Sequence, residues 1–122
     1  MNKILIVDDE PSLLLLLKSR LEANHYQVLT ACHGIEGLQV LKQERPDLVL
    51  LDILMPDIDG FSFLEKMKQF PDVRSVPIIM LSAKARQEDI RRAISLGAKD
   101  YVIKPFTPEI LMNKIKKVLQ KN

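Results

Sequence analysis

The sequence predicts an α/β fold: a doubly wound, flavodoxin-like parallel sheet of five strands flanked by five helices. Short apolar runs alternate with stretches of helical period five times along the 122 residues. The apolar runs are nearly continuous, which is typical of strands buried on both faces of a parallel sheet. No linker or low-complexity segment interrupts the series, so we expect one domain covering residues 1–122.

The first two strand and helix pairs occupy the N-terminal third. The first strand is predicted at Lys3–Val7 and its helix at Pro11–Ala23, since proline suits an opening helical turn. The second strand is predicted at Gln27–Ala31 and its helix from Ile35 to Glu44. That helix should stop there because Pro46 follows and disfavours helical backbone at the residue before it.

The third and fourth pairs follow the same pattern. We expect a strand at Leu48–Asp52 with a helix at Gly60–Gln69, then a strand at Val76–Ser82 with a helix at Gln87–Leu96. Gly97 is suited to the left-handed residue that often follows a helix.

The last pair completes the alternation. The fifth strand is predicted at Asp100–Lys104, and the final helix begins near Pro108 with Thr107 as its N-cap.

The first helix contains five consecutive leucines. Leu13, Leu16, Leu17 and Leu21 have the spacing of a core-facing stripe. Leu14 and Leu15 lie outside that stripe, so we expect them to be partly exposed. They form either a docking surface for a partner or ordinary surface positions, and both interpretations stay open.

Composition limits the function classes. A net charge of +2 gives no argument for binding nucleic acid or a membrane surface. One cysteine, Cys32, excludes an internal disulfide and fits a reducing compartment. The opening residues resemble no signal peptide, and no apolar stretch approaches the roughly 20 residues that span a bilayer. We therefore expect a cytoplasmic protein.

Polar side chains follow the strands at their carboxyl ends. Asp8 and Asp9 follow the first strand, Asp52 ends the third, Ser82 ends the fourth and Lys104 ends the fifth. Parallel strands connected by right-handed crossovers bring these ends to one edge of the sheet, where ligands of open α/β sheets bind.

The acidic residues at this edge predict a metal site. Three neighbouring carboxylates repel one another unless a cation lies among them, and an all-oxygen ligand set suits Mg²⁺. Lys104 and Ser82 are suited to an anionic group on Asp52, since a carboxylate can act as a nucleophile and carry a phosphoryl group. Taken alone, each of these residues would be interpreted as a turn or surface residue. Their expected position together at one edge of the sheet favours the metal and phosphoryl site.

The chain resembles a response-regulator receiver domain of two-component signal transduction. The resemblance covers nearly the whole chain and rests on "ILIVDDEP", "PDLVLLDILMPDIDG", "PIIMLSA" and "GAKDYVIKPF" in this order. It implies the strand order 2-1-3-4-5. It also implies a phosphoprotein that catalyses its own phosphorylation and slow dephosphorylation, so an enzyme only in a loose sense.

The resemblance assigns roles to individual residues. Asp52 would be the phosphoacceptor. Mg²⁺ would be held by Asp9 directly, by Asp8 mostly through water, by Asp52, and by the backbone carbonyl of Leu54.

Three further residues would respond to the phosphate. Lys104 would pair with the phosphoryl group, and its bond to Pro105 would be cis. Ser82 would bond a phosphoryl oxygen, and Tyr101 would swing inward. The surface of the fourth helix, fifth strand and fifth helix would then change for output.

The implied partners are a sensor histidine kinase or a phosphotransfer protein, and an effector domain or downstream protein. A homodimer stays open, although Ile110 and Lys99 stand where dimerising relatives often have acidic residues. Alternatives from other classes are a flavin or nucleotide carrier, a phosphatase and a non-phosphorylated interaction module. The acidic "DDEPS" turn disfavours the first, and Leu54, in the place of a second acid, disfavours the second.

Overall fold

The structure is a computed structural model that describes residues 1–120, so Lys121 and Asn122 of the predicted domain lie outside the described residues. Five strands and five helices alternate along these residues: β1 Lys3–Val7, α1 Pro11–Ala23, β2 Gln27–Ala31, α2 Gly34–Glu44, β3 Leu48–Leu51, α3 Gly60–Met67, β4 Ile78–Ser82, α4 Gln87–Ser95, β5 Asp100–Ile103 and α5 Pro108–Gln120.

The strands form one parallel sheet in the order β2-β1-β3-β4-β5. This is the predicted doubly wound arrangement. The order reverses direction between β1 and β3, so the site predicted at the carboxyl edge lies where ligands of such sheets bind.

Helices cover the two faces of the sheet and create two apolar cores. On one face α2, α3 and α4 pack against alternate strand residues such as Leu5 and Val7. On the other face α1 and α5 pack against the intervening residues, such as Ile4 and Ile6. All four of these β1 side chains are fully buried, which explains why the strands have no polar face in the sequence.

The predicted boundaries hold to within two residues, and the two differences at element starts have a local cause. The fourth strand begins at Ile78 because Pro77, which has no N–H, precedes it; its carbonyl still accepts from the Val49 N–H at 3.0 Å. The second helix begins at Gly34, one residue early, because His33 is its N-cap and accepts from the Glu36 N–H. Four other elements end one or two residues before their predicted ends, namely β3, β5, α3 and α4.

Several predicted helix ends are confirmed. Arg45 follows α2 in left-handed conformation, and Gly97 follows α4 with φ of +112°. The Thr107 hydroxyl accepts from the Ile110 N–H at 3.4 Å, as expected of the N-cap of α5.

The prediction for the α1 leucines was wrong at Leu16, whose side chain is 50% exposed. At about 100° per residue, Leu13, Leu14, Leu17 and Leu21 lie within an arc of about 100°, and Leu16 lies about 60° outside it. Leu14 therefore packs against the core in its place. Leu15 is 71% exposed, as expected.

No helix within residues 1–120 is long and apolar enough to cross a membrane.

Candidate functional site

The carboxyl edge of the sheet brings the predicted residues together. Val7 pairs with Leu51 in the ladder of β1 and β3, so Asp8 and Asp52 follow side by side. The Asp52 N–H donates to the Val7 carbonyl at 3.0 Å, and the Lys104 N–H donates to the Ser82 carbonyl at 2.9 Å. Backbone hydrogen bonds between the strands thus fix the Cα positions of Asp52 and Lys104.

Three of these polar residues lie inside the protein. Asp8 and Ser82 are 0% exposed and Asp52 is 5% exposed. Burying a carboxylate is costly unless a cation or several hydrogen-bond donors accompany it.

Lys104 is the cation at this position. Its Nζ lies 2.8 Å from Asp8 Oδ2, 3.3 Å from Asp52 Oδ2 and 3.1 Å from Glu10 Oε1. Burial alone would lower the pKa of this ammonium, but the hydrogen bond to Asp8 and the charges of its partners outweigh burial and raise it. Lys104 is therefore held as a cation.

Burial also changes the acidity of Asp8. Its burial raises the pKa of its carboxyl, with the nearby Asp52 charge adding to the effect. The Lys104 ammonium and the Glu10 N–H, at 3.0 Å from Asp8 Oδ1, oppose that rise without cancelling it. The Lys104 ammonium contacts three carboxylates, those of Asp8, Glu10 and Asp52, so the carboxylates at this edge outnumber their cation.

The donor set fits a hard divalent cation. One carboxylate oxygen from each of Asp8, Asp9 and Asp52 lies within 4.8 Å of the others. Asp9 is exposed, so the group opens toward solvent and leaves room for water ligands. Oxygen ligands with open positions are what Mg²⁺ prefers in proteins.

The loop after β3 forms one wall of this site. The Leu54 N–H donates to Asp52 Oδ1 at 3.3 Å, and the Leu54 side chain, 52% exposed, lies at the rim. Gly60 closes the loop with an N–H bond to the Ile53 carbonyl at 2.9 Å. A Cβ at Gly60 would lie 2.7 Å from the Asp52 carbonyl oxygen, so glycine is required for this close approach.

The β4–α4 loop connects Ser82 with Tyr101. The Ser82 hydroxyl accepts from the Lys84 N–H at 3.2 Å, and the Tyr101 hydroxyl donates to the Lys84 carbonyl at 2.7 Å. Tyr101 is 8% exposed, and its burial raises the pKa of its phenol. The bond between Lys104 and Pro105 is cis, as the resemblance implied.

Two residues with no predicted role contact the site or its loop. Glu10 follows the acidic pair in the sequence, and it is the third carboxylate on Lys104. Asp57 reaches from the β3–α3 loop to the first turn of α2. No periodicity or spacing pairs residues 23 positions apart, so only the fold reveals this contact.

A second cluster of metal-ligating side chains lies at the start of α2, where Cys32, His33 and Glu36 converge. Glu36 Oε1 accepts from the Cys32 N–H at 2.8 Å and from its thiol at 3.4 Å, while His33 caps the helix. The hydrogen bond to Glu36 raises the pKa of the Cys32 thiol. These contacts cap the helix, and Cys32 is not an activated thiolate.

Comparison with known proteins gives the family. The family model of the response regulator receiver domain matches residues 4–116. Probable transcriptional regulator ycf27 of Guillardia theta is 44% identical over 120 residues, which cover 98% of this chain and 46% of that protein. The alkaline phosphatase synthesis transcriptional regulatory protein PhoP of Bacillus subtilis is 39% identical over 121 residues, covering 99% and 50%.

Solved structures agree with this match. A CheY-like response regulator receiver domain protein from Methanospirillum hungatei superposes with a TM-score of 0.91 at 36% identity, covering 99% of this chain and 95% of that one. The chemotaxis protein CheY4 of Vibrio cholerae gives a TM-score of 0.91 at 31% identity, covering 97% and 98%.

The chain spans about half the length of the curated relatives it matches. The matched residues include all those at the carboxyl edge of the sheet. The chain therefore belongs to the response regulator receiver domains of two-component signal transduction.

Proposed function

We propose that Asp52 is the phosphoacceptor of this receiver and takes a phosphoryl group from a phosphohistidine in an Mg²⁺-dependent reaction. The observation that carries the proposal is the position of Lys104 Nζ, within 3.3 Å of both Asp52 and Asp8. A cation in contact with the nucleophile is placed to stabilise charge on an arriving phosphoryl group.

The transfer has a simple bond balance. A carboxylate oxygen of Asp52 attacks phosphorus, the phosphorus–nitrogen bond of the donor breaks, and its electron pair stays on the imidazole. Receiver domains of this family generally bind Mg²⁺, and the metal supplies positive charge to the phosphoryl oxygens. Asp8, Asp9 and Asp52, with the Leu54 carbonyl, are the residues that we propose hold it.

Ser82 and Tyr101 are proposed as the switch. The Ser82 hydroxyl accepts from the Lys84 N–H, which leaves its own proton free to donate to a phosphoryl oxygen. A move of Ser82 toward the phosphate would pull on the β4–α4 loop, which the Tyr101 hydroxyl also holds. Phosphorylation would thereby shift the population of loop and ring positions.

The output surface is proposed on α4, β5 and α5. Each of these elements exposes one isoleucine, Ile94, Ile103 and Ile110, at 46%, 41% and 50%. Exposed apolar side chains on three adjacent elements suit an effector domain, a downstream protein or a second copy of the chain.

The donor is proposed to dock beside the site. A groove of about 450 Å³ runs along α1, lined by Leu13, Leu16 and Leu17, and it ends at Glu10 and Lys104. A sensor histidine kinase or phosphotransfer protein presenting an apolar helix would bring its histidine to Asp52 from here.

We propose that the whole chain, residues 1–122, works as this one phosphoacceptor domain in the cytoplasm. No match named above supports a flavin or nucleotide carrier.

Incubation with a small acyl phosphate, read by intact mass, tests the proposal. We expect one phosphoryl adduct that needs Mg²⁺ and is absent from Asp52→Asn. Asp59→Asn is the matched control, since Asp59 is on the same loop but caps α3. An adduct that persists in Asp52→Asn, or that forms equally in chelator, would overturn the assignment. Gel filtration of the same samples reports dimers that depend on phosphorylation.

A further inference from the structure

Asp57 connects the loop that carries Asp52 to a helix that has no part in the proposed chemistry. Its Oδ1 accepts from the Gly34 N–H at 2.9 Å, and its Oδ2 accepts from the Ile35 N–H at 2.8 Å. His33 Nδ1 lies 3.1 Å from the same Oδ2. One carboxylate thus satisfies two of the free N–H groups at the start of α2, where the helix dipole also favours a negative charge.

The electrostatics agree with this geometry. Partial burial would raise the pKa of Asp57, but the backbone N–H bonds from Ile35 and its neighbours lower it to about 2. The carboxylate is therefore charged at neutral pH, the form that accepts both bonds.

A close packing contact supports the same connection. A Cβ at Gly34 would lie 2.4 Å from Ile58 Cγ1 and 3.1 Å from the Ile58 carbonyl oxygen. The β3–α3 loop thus sits against α2 at a distance that only glycine permits. The helix itself packs tightly on the sheet, since a Cβ at Gly37 would lie 2.8 Å from Val7 Cγ2.

The rest of the loop is held near its two ends. Asp52 is fixed by its N–H bond to the Val7 carbonyl, and Gly60 by its bond to the Ile53 carbonyl. Asp59 caps α3 through the Ser62 N–H at 2.8 Å. Leu54 lies between these points, and its carbonyl is the backbone ligand that we propose for the metal. Three residues further on, Asp57 connects the loop to the first turn of α2.

We propose that Asp57 is a positioning residue for the metal site. By joining the loop to the first turn of α2, it fixes the backbone at Leu54 and the orientation of the Asp52 carboxylate. It acts through the loop and touches neither the metal nor the phosphoryl group. This inference rests on the proposed function, because Asp57 can position a metal site only if the carboxyl edge of the sheet binds Mg²⁺.

The test is calorimetric titration of Mg²⁺ into the purified chain and its variants, at a temperature where circular dichroism shows each one folded. We expect Asp57→Ala to bind Mg²⁺ about tenfold more weakly, the lower end of what residues that orient metal ligands contribute. Asp57→Asn, which keeps one acceptor oxygen without the charge, should fall between Asp57→Ala and the unmodified chain. Phosphorylation by acyl phosphate should need more Mg²⁺ but approach the same rate at saturation.

Asp47→Ala is the matched control. Asp47 also accepts a backbone N–H, from Lys3 at 2.7 Å, but at the opposite edge of the sheet. It should leave the Mg²⁺ affinity unchanged. Equal weakening in Asp47→Ala and Asp57→Ala would show a general loss of stability and overturn the inference, as would an unchanged affinity in folded Asp57→Ala.

Hydrogen exchange in metal-free protein separates this inference from the proposed function. The amide of Leu54, whose N–H donates to Asp52 Oδ1, should exchange about tenfold faster in Asp57→Ala and not in Asp47→Ala, if the lost bonds stabilised the loop by about 1.4 kcal/mol. Unchanged exchange would refute the positioning role. Should Mg²⁺ neither give heat nor stabilise the unmodified chain in urea titrations, the proposed function fails, and the exchange comparison still decides whether Asp57 fixes the loop.

Discussion

Replacing Lys104 with methionine removes the ammonium that contacts both buried carboxylates while keeping a side chain of similar length. Lys104 Nζ lies 2.8 Å from Asp8 and 3.3 Å from Asp52, whose side chains are 1% and 6% exposed. Removing one partner of a buried ion pair leaves an uncompensated buried charge and costs about 3–5 kcal/mol. This is a large part of the roughly 5–15 kcal/mol by which such domains are stable.

Urea unfolding at neutral pH, in chelator and in saturating Mg²⁺, measures this cost. We expect Lys104→Met to lose about 3–5 kcal/mol in chelator. We expect Mg²⁺ to restore a large part of that loss, because the variant has no ammonium competing with the metal for Asp8 and Asp52. A ligand that binds only the folded state stabilises it by mass action.

Lys114→Met is the matched control for this experiment. Lys114 Nζ lies 3.0 Å from Asp100, but both side chains are about one third exposed. Such a pair contributes about 0–1 kcal/mol, and its loss should not depend on Mg²⁺. A loss below about 1 kcal/mol for Lys104→Met, or one that Mg²⁺ leaves unchanged, would refute the charge balance described for this site.

Three further predictions concern the loops and the acid range. Gly60→Ala should lower the free energy of unfolding by about 1–3 kcal/mol in urea titrations, because its Cβ would meet the Asp52 carbonyl oxygen at 2.7 Å; a neutral result would contradict the close approach. Tyr101→Phe should cost about 1 kcal/mol through loss of the 2.7 Å bond to the Lys84 carbonyl, and an unchanged unfolding midpoint would argue that this bond contributes nothing. Asp57 has its pKa lowered from 3.8 to about 2, so the stability it adds is complete above about pH 4 and is lost as the pH falls toward 2. The stability difference between the unmodified chain and Asp57→Asn should shrink over that interval, and a constant difference would contradict it.

The fold was predictable because local patterns and global arrangement agree. Continuous apolar runs such as Leu48–Leu51 predict buried parallel strands. Pro46 and Gly97 indicate where the second and fourth helices end. The edge at which Asp8, Asp52 and Lys104 meet also follows from the parallel order, since all strand ends then point the same way. The strand order itself came from the family resemblance, because strand periodicity carries no information about neighbours.

The missed features depend on contacts between distant segments. Leucine spacing alone did not place the buried arc of α1, so Leu16 was predicted inside and Leu14 outside. Glu10 meets Lys104 across 94 positions, and Asp57 meets Gly34 across 23 positions. Hydrogen bonds of this kind leave no periodic trace in the sequence, since they are set by loop paths that form only when the sheet is assembled.

The most direct measurement of the central claim is chemical location of the phosphoryl group. Borohydride reduces an aspartyl phosphate to homoserine, which tandem mass spectrometry of the peptides containing residues 8–9 and residues 48–60 can locate. After treatment with acyl phosphate and Mg²⁺, we expect homoserine in place of Asp52, with none in the sample held in chelator. Homoserine in place of Asp8, Asp9, Asp57 or Asp59, or its absence from every position, would contradict the account.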